Sequence, residues 1–292
     1  MSQSKSSYLV IDQRPLPGEA KKPAELIQVT GHENLSLAAR RSITLLWHNA
    51  HSQGIQENKD YVIEISDLIG SRHKGYEIVV ESIEALMKTL VTVKHVDGST
   101  TRVQFLGGND LDSPDRPAGT LTYSFDKRLT KILSNSTIWG KISFPVLLSL
   151  SSKYGISLYE NAAQLSGLDH KISHTYTLDE FRTLLGVEPA KYPSYGNLAQ
   201  KVIKPAVQEI NALADFHISV APIKTGRKVT HIRLGWWKKN IDEIKIAFQE
   251  LQQPKVGRKA RINNTVSYVL DPMPSVGKTT RKSLKSAVID KD

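Results

Sequence analysis

The chain contains no cysteine. Disulfides, thiolate nucleophiles, iron–sulfur clusters and cysteine-held zinc are therefore excluded. It has no apolar run near the ~20 residues that cross a bilayer. Its polar first eight residues are followed by no signal-peptide core. A soluble cytoplasmic protein with no membrane partner is expected. Acidic residues are also in deficit, 29 Asp+Glu against 39 Lys+Arg, for a formal charge of +10. That imbalance points to an anionic partner.

Catalytic signatures are missing as well. Ser275-Val-Gly-Lys-Thr279 resembles the end of a phosphate-binding loop, but the motif's first glycine falls on Pro272 and no strand precedes it. His170 and His174 have metal-like spacing in a polar loop without an evident third ligand. His48 and His51 read as surface residues of a helix. No His-hydrophobic-His pair exists, which argues against a tyrosine nickase of the rolling-circle kind. Carboxylates are dispersed rather than clustered for a two-metal nuclease. The expectation is a protein that is not an enzyme, with no cofactor and no metal.

What is present is organised in two similar halves, as 292 residues allow. Residues 1–23, with three prolines, read as a disordered N-terminal segment. Leu35 to Trp47 carries apolar residues at helical spacing and is expected to be a helix capped by Asn34. Tyr61–Ile65 is strand-like, Ser66–Gly70 a short helix, and Tyr76–Thr89 a longer one. Val91–Lys94 and Val103–Leu106 flank Asp97-Gly98, a strong hairpin signal. Leu121–Phe125 adds a strand. A segment around Ser134 to Ser143 reads as a linker. Phe144–Glu160 reads as one helix with a weak point at Gly155. The order then recurs: a short helix at Asp179–Gly186, a long helix at Tyr195–Leu213, and a hairpin turning at Gly226. The turn glycines Gly98 and Gly226 are 128 residues apart, as are Gly107 and Gly235.

Two helices followed by a β-hairpin define a winged helix. The expected fold is therefore α+β: two tandem winged-helix domains related by internal pseudo-symmetry, at 24–135 and 140–240. A basic flexible tail is expected at 254–292, which holds nine Lys/Arg against three acids. In the second half, Asn197, Gln200, Lys201 and Lys204 suit a helix that reads base edges. Lys191, Tyr192, Ser194 and Tyr195 precede that helix and are candidates for phosphate contacts. So are Lys224, Arg227 and Lys228 at the second hairpin tip, and Arg72, His73 and Lys74 in the first half. The apolar residues of the first hairpin, Val93 and Phe105 among them, are a candidate dimer contact.

Several runs together resemble the iteron-binding replication initiators of theta-replicating bacterial plasmids. They are Asn34-Leu-Ser-Leu-Ala-Ala-Arg-Arg41, Leu158-Tyr-Glu160, Phe181-Arg-Thr-Leu-Leu-Gly186, Val202-Ile-Lys-Pro-Ala-Val-Gln-Glu-Ile-Asn211 and Gly226-Arg-Lys-Val-Thr-His-Ile-Arg-Leu234. The resemblance implies a plasmid-associated protein that binds double-stranded DNA. Monomers would bind direct repeats at the origin, promote its opening and bring in the host initiator and replicative helicase. Homodimers joined through the first domain would repress their own promoter. Ser157 departs from the family's usual basic residue, and the basic extension after Pro254 lies outside the resemblance. The alternatives are a dedicated transcriptional repressor on the same fold, a DNA-nicking enzyme, and a basic architectural protein that binds all sequences alike.

Overall fold

The computed structural model describes residues 18–69, 75–95, 98–111, 119–168 and 172–263, together with two short paired strands further on. Strand β1 (Glu19–Pro23) leads into helix α1 (Ala24–Ile27) and then α2 (Leu37–Ser52). The predicted cap, Asn34, is displaced: Ser36 caps α2 by accepting from the Ala39 N–H at 3.1 Å. Ala39, Ile43, Leu46 and Trp47 line the buried face of α2.

Strand β2 (Tyr61–Glu64), α3 (Ile65–Ile69) and α4 (Gly75–Lys88) follow, then β3 (Leu90–Lys94), β4 (Thr100–Gln104), β5 (Leu106–Leu111), β6 (Thr120–Phe125) and α5 (Lys127–Ser134). β3 and β4 form an antiparallel pair, and β2–β6–β5 a second sheet. Tyr61, Ile83, Leu86, Val91, Leu106 and Tyr123 fill the core between them. Val93 and Phe105 are 1% and 2% exposed in this same core. That overturns the expectation that they offer an apolar surface to a dimer mate: the inward side of a pleated strand has met its own domain.

The predicted linker is also corrected. Its end is strand β7 (Trp139–Ser143), which pairs along its whole length with β1, Glu19 opposite Ser143 and Pro23 opposite Trp139. Residues 19–23 are therefore ordered, contrary to the expected disorder; residues 1–17 lie outside the described residues.

The second domain contains α6 (Phe144–Ser149), α7 (Lys153–Ser166), β8 (Ser173–Thr177), α8 (Leu178–Leu185), α9 (Tyr195–Leu198), α10 (Lys204–Leu213), β9 (Phe216–Thr225) and β10 (Lys228–Lys238). Its sheet runs β8–β10–β9. The single helix predicted over 144–160 breaks at Leu150, not at Gly155. Ser152 restarts it as the N-cap of α7, accepting from the Gly155 N–H at 2.9 Å. Tyr159 stacks on Phe216 with ring centroids 6.0 Å apart.

The predicted flexible tail is packed at its beginning. Helix α12 (Arg258–Ile262), within it, lies against α10 and is tied to α11 (Ile241–Gln252), which precedes the tail and also packs on α10. Arg258 and Arg261 both pair with Glu250, at 3.1 and 2.7 Å, and Arg258 also donates to the Ser149 carbonyl at 3.0 Å. Beyond 263 only β11 (Ser267–Tyr268) and β12 (Val288–Ile289) are described, an antiparallel pair.

The 128-residue offset holds for the hairpins, β3 and β4 falling on β9 and β10, but not for the long helices, whose ends at Lys88 and Leu213 are closer than that. Gly98 and Gly226 sit at the two hairpin turns with φ of 83° and 62°, a backbone region that costs other residues about 1 kcal/mol or more.

A buried polar seam joins the domains. The Lys22 ammonium, 3% exposed, donates to Glu160 at 2.7 Å and to Thr44 at 3.0 Å. Thr44 donates to the same Glu160 oxygen at 2.9 Å. The Arg40 guanidinium donates to the carbonyls of His32 (3.1 Å), Lys153 (3.1 Å) and Leu185 (3.3 Å) and to the Ser157 hydroxyl. Arg41 donates to the Leu150 carbonyl at 2.5 Å. Burial lowers the Arg40 pKa to about 10. Burial, with Arg40 and Lys22 nearby, lowers that of His32 to about 3.

Candidate nucleic-acid interface

Helix α8 starts with a capping box. Thr177 accepts from the Glu180 N–H at 3.2 Å, and Glu180 accepts from the Thr177 N–H at 2.8 Å. It ends at Gly186 in the left-handed region. The loop that follows is held by Arg182, which sequence reasoning placed only within a family run. Its guanidinium donates to the carbonyls of Tyr192 (2.9 Å) and Lys191 (2.6 Å). Tyr192 takes φ +51° and sets its ring edge-on to Tyr154. Lys191 pairs with Glu188 at 2.8 Å, and Glu188 also takes Lys153 at 3.3 Å. Ser194 caps α9 by accepting from the Asn197 N–H at 3.3 Å. Tyr195 is half-buried against the core. Of these four loop candidates, Lys191 and Ser194 are exposed, and all except Tyr195 also have a defined structural task.

The long helix is continuous but carries a π turn over Ala199–Ile203. Pro205 has no N–H to donate, and the Lys204 N–H instead reaches the Ala199 carbonyl five residues back. The wider turn lets consecutive Val202 and Ile203 both face the core. Leu198, Ala206, Ile210 and Leu213 complete the buried side. Asn197, Gln200, Lys201 and Lys204 are all exposed on the other side, spaced as one stripe. Asn211, polar in sequence, is structural: its side chain brackets Ile218, donating to its carbonyl and accepting from its N–H.

The β9–β10 hairpin projects Lys224, Arg227 and Lys228 as exposed cations around Gly226. None of the ion pairs among the described residues involves them. Its base is broad and apolar, with Phe216, Ile218, Ile232, Leu234 and Trp236 buried.

The first domain differs in charge. Arg72, His73 and Lys74 lie outside the described residues. The exposed stripe of α4 is Glu77, Glu81 and Glu84, with Lys88 engaged to Glu84 at 2.7 Å. An acidic helix face opposes a phosphate-lined groove, so the two long helices are not equivalent. The sequence held this signal in the spacing of its glutamates.

Other candidates resolve plainly. His48 and His51 are half-buried, not surface residues. The His48 ring meets Phe144 at 4.7 Å, and His51 lies against Trp47 and Trp139. Burial lowers both of their pKa values. The His174 ring lies tilted against Tyr176, centroids 4.4 Å apart, and His170 lies outside the described residues. Among the described residues no helix is long and apolar enough to cross a membrane.

Short helix, turn, longer helix and cationic hairpin, on a second domain packed against a first of like order, define a tandem winged-helix protein of the DNA-binding class. Residues 19–163 match the family model described as initiator replication protein, WH1, and residues 177–236 that described as initiator Rep protein, WH2. The chain belongs to this family of plasmid replication initiators, which are non-catalytic DNA-binding proteins. Among solved structures, it is similar to the crystal structure of the Pi initiator protein in complex with iteron DNA. The TM-score is 0.58 at 18% identity, covering 76% of this chain and 98% of that one. Domains 2 and 3 of RctB superpose less well, with TM-score 0.43 at 12% identity over 74% of this chain and 85% of that one. No curated protein sequence matches the chain.

Proposed function

We propose that this chain binds directly repeated iterons at a plasmid origin, with the second winged helix as the sequence reader. The observation that carries this is the exposed stripe Asn197, Gln200, Lys201 and Lys204 on the helix that the Arg182-held loop positions. Amide and ammonium groups are the donors and acceptors that distinguish base pairs in the major groove. The wing cations Lys224, Arg227 and Lys228 contact phosphates, as do Lys191, Tyr192, Ser194 and Tyr195 at the helix start. The first domain touches backbone through Arg72, His73 and Lys74 rather than through the acidic stripe of α4. The Pi initiator, of similar fold, was crystallised with iteron DNA, which supports the assignment.

In this reading the monomer opens the origin and recruits the host initiator and helicase. A homodimer formed through the first domain represses the promoter. The decisive experiment supplies the protein in trans to a plasmid carrying only the candidate origin. Replication supports the initiator; repression without replication makes the chain a dedicated repressor.

A further inference from the structure

The turn between α8 and α9 is gripped at both ends, and one grip comes from the other domain. At the far end Arg182 holds the carbonyls of Lys191 and Tyr192. At the near end stands Arg40, on α2 of the first domain. Its guanidinium donates to the carbonyl of Leu185, the last residue of α8, at 3.3 Å, and to that of Lys153, the first residue of α7, at 3.1 Å. The same fork donates to the His32 carbonyl at 3.1 Å, so one side chain ties both domains to the turn. The approach is close. A Cβ on Gly186 would collide with this guanidinium and lie 3.0 Å from His32 Nε2.

A second tie runs through Lys153. Its ammonium donates to the Glu33 carbonyl of the first domain and, at 3.3 Å, to Glu188 within the turn. Glu188 also takes Lys191 at 2.8 Å, three residues before the Ser194 cap of α9. At 4% exposed, Arg40 has no surface of its own to offer DNA.

We propose that Arg40 is a positioning residue for sequence reading. From the first domain it fixes the turn that aims Asn197, Gln200, Lys201 and Lys204, with Lys153 as its partner. This inference rests on the assignment of those four residues as readers. Side chains that recognise a ligand must be held to within about 0.5 Å by the groups behind them. Loosening the clamp leaves the wing cations unaltered, so it costs selectivity rather than phosphate contact.

Full-length R40K keeps the charge but not the planar fork. Its affinity is measured for a duplex of the plasmid's direct repeats and for an unrelated duplex, over a salt series and below its melting transition. The proposal expects the ratio of the two affinities to fall about tenfold, with the unrelated duplex and the salt slope unchanged. In the N197A/K201A background R40K should lower that ratio no further, because it acts through those side chains. K153M, whose wild-type side chain is 17% exposed, carries the same expectations should R40K melt below the assay temperature. A melting temperature that falls while the ratio stays intact marks a purely structural role and overturns the proposal. Equal losses from R40K in both backgrounds overturn it too, by placing its effect elsewhere. An unaltered ratio in N197A/K201A itself overturns the assignment of the readers, and the clamp with it.

Discussion

Replacing Glu160 by Gln tests whether the polar seam holds the domains together. The Lys22 and Glu160 side chains are 3% and 8% exposed, with nitrogen and oxygen 2.7 Å apart. Burial pulls the Lys22 pKa down while Glu160 opposes that fall, so the ammonium depends on this carboxylate to remain charged. In E160Q, the ammonium keeps neutral acceptors only, and Arg40 loses the charge that most opposes the lowering of its pKa by burial. Removing one partner of a buried pair costs about 3–5 kcal/mol, because the other charge is left uncompensated. Gln retains an oxygen for Thr44, so about 3 kcal/mol is expected. The double variant K22M/E160L removes both charges and should cost far less, since apolar replacement of a buried pair is often near neutral. Urea titration followed by tryptophan fluorescence measures both. A loss under about 1 kcal/mol in E160Q, or a double variant as damaged as the single, would refute the reasoning.

Three further outcomes are expected. Arg227→Ala and Lys228→Ala should weaken binding to all DNA sequences and reduce the magnitude of the salt slope by about one each, read by fluorescence anisotropy over a salt series. A charge at Val93, as in V93D, should unfold the first domain rather than release a dimer, because the side chain is 1% exposed; a folded monomer in sedimentation with an unchanged melting curve contradicts this. Stability should fall as pH drops below about 6.5. The unfolded His32 titrates near 6.5 and the folded one near 3, so the unfolded state binds more protons between those values. The loss should be about 1 kcal/mol between pH 7.5 and 5.5, measured in urea, and H32N should flatten it.

Elements set by local periodicity and turn chemistry were legible in the sequence. The Asp97-Gly98 and Gly226 hairpins, the short helix ending at Gly186 and the long helices were found from spacing alone. Where several local signals compete, tertiary structure decided. Ser36 rather than Asn34 caps α2, and Leu150 rather than Gly155 interrupts the helix expected over 144–160. Pro205, which lacks an N–H, is accommodated within the long helix by a π turn. Arg40 and Arg41 looked like family residues without a stated task. Their burial depends on carbonyls more than 100 positions away, among them those of Lys153, Leu185 and Leu150, which no periodicity reveals. The exposed polar stripe of the long helix was legible because its alternation with Leu198, Val202 and Ala206 is local. Arg182 as the holder of the preceding loop was not, since its partners are backbone atoms.

The central claim is that the second winged helix reads sequence. Purified N197A/K201A should be compared with wild type on a duplex of the plasmid's direct repeats and on an unrelated duplex, at one fixed salt concentration. The account predicts a loss of about 1–3 kcal/mol per base contact on the repeats, a much smaller loss on the unrelated duplex, and relaxed selectivity at one or two base positions. Unchanged affinity and selectivity on the repeats, in a variant that melts like wild type, would contradict it.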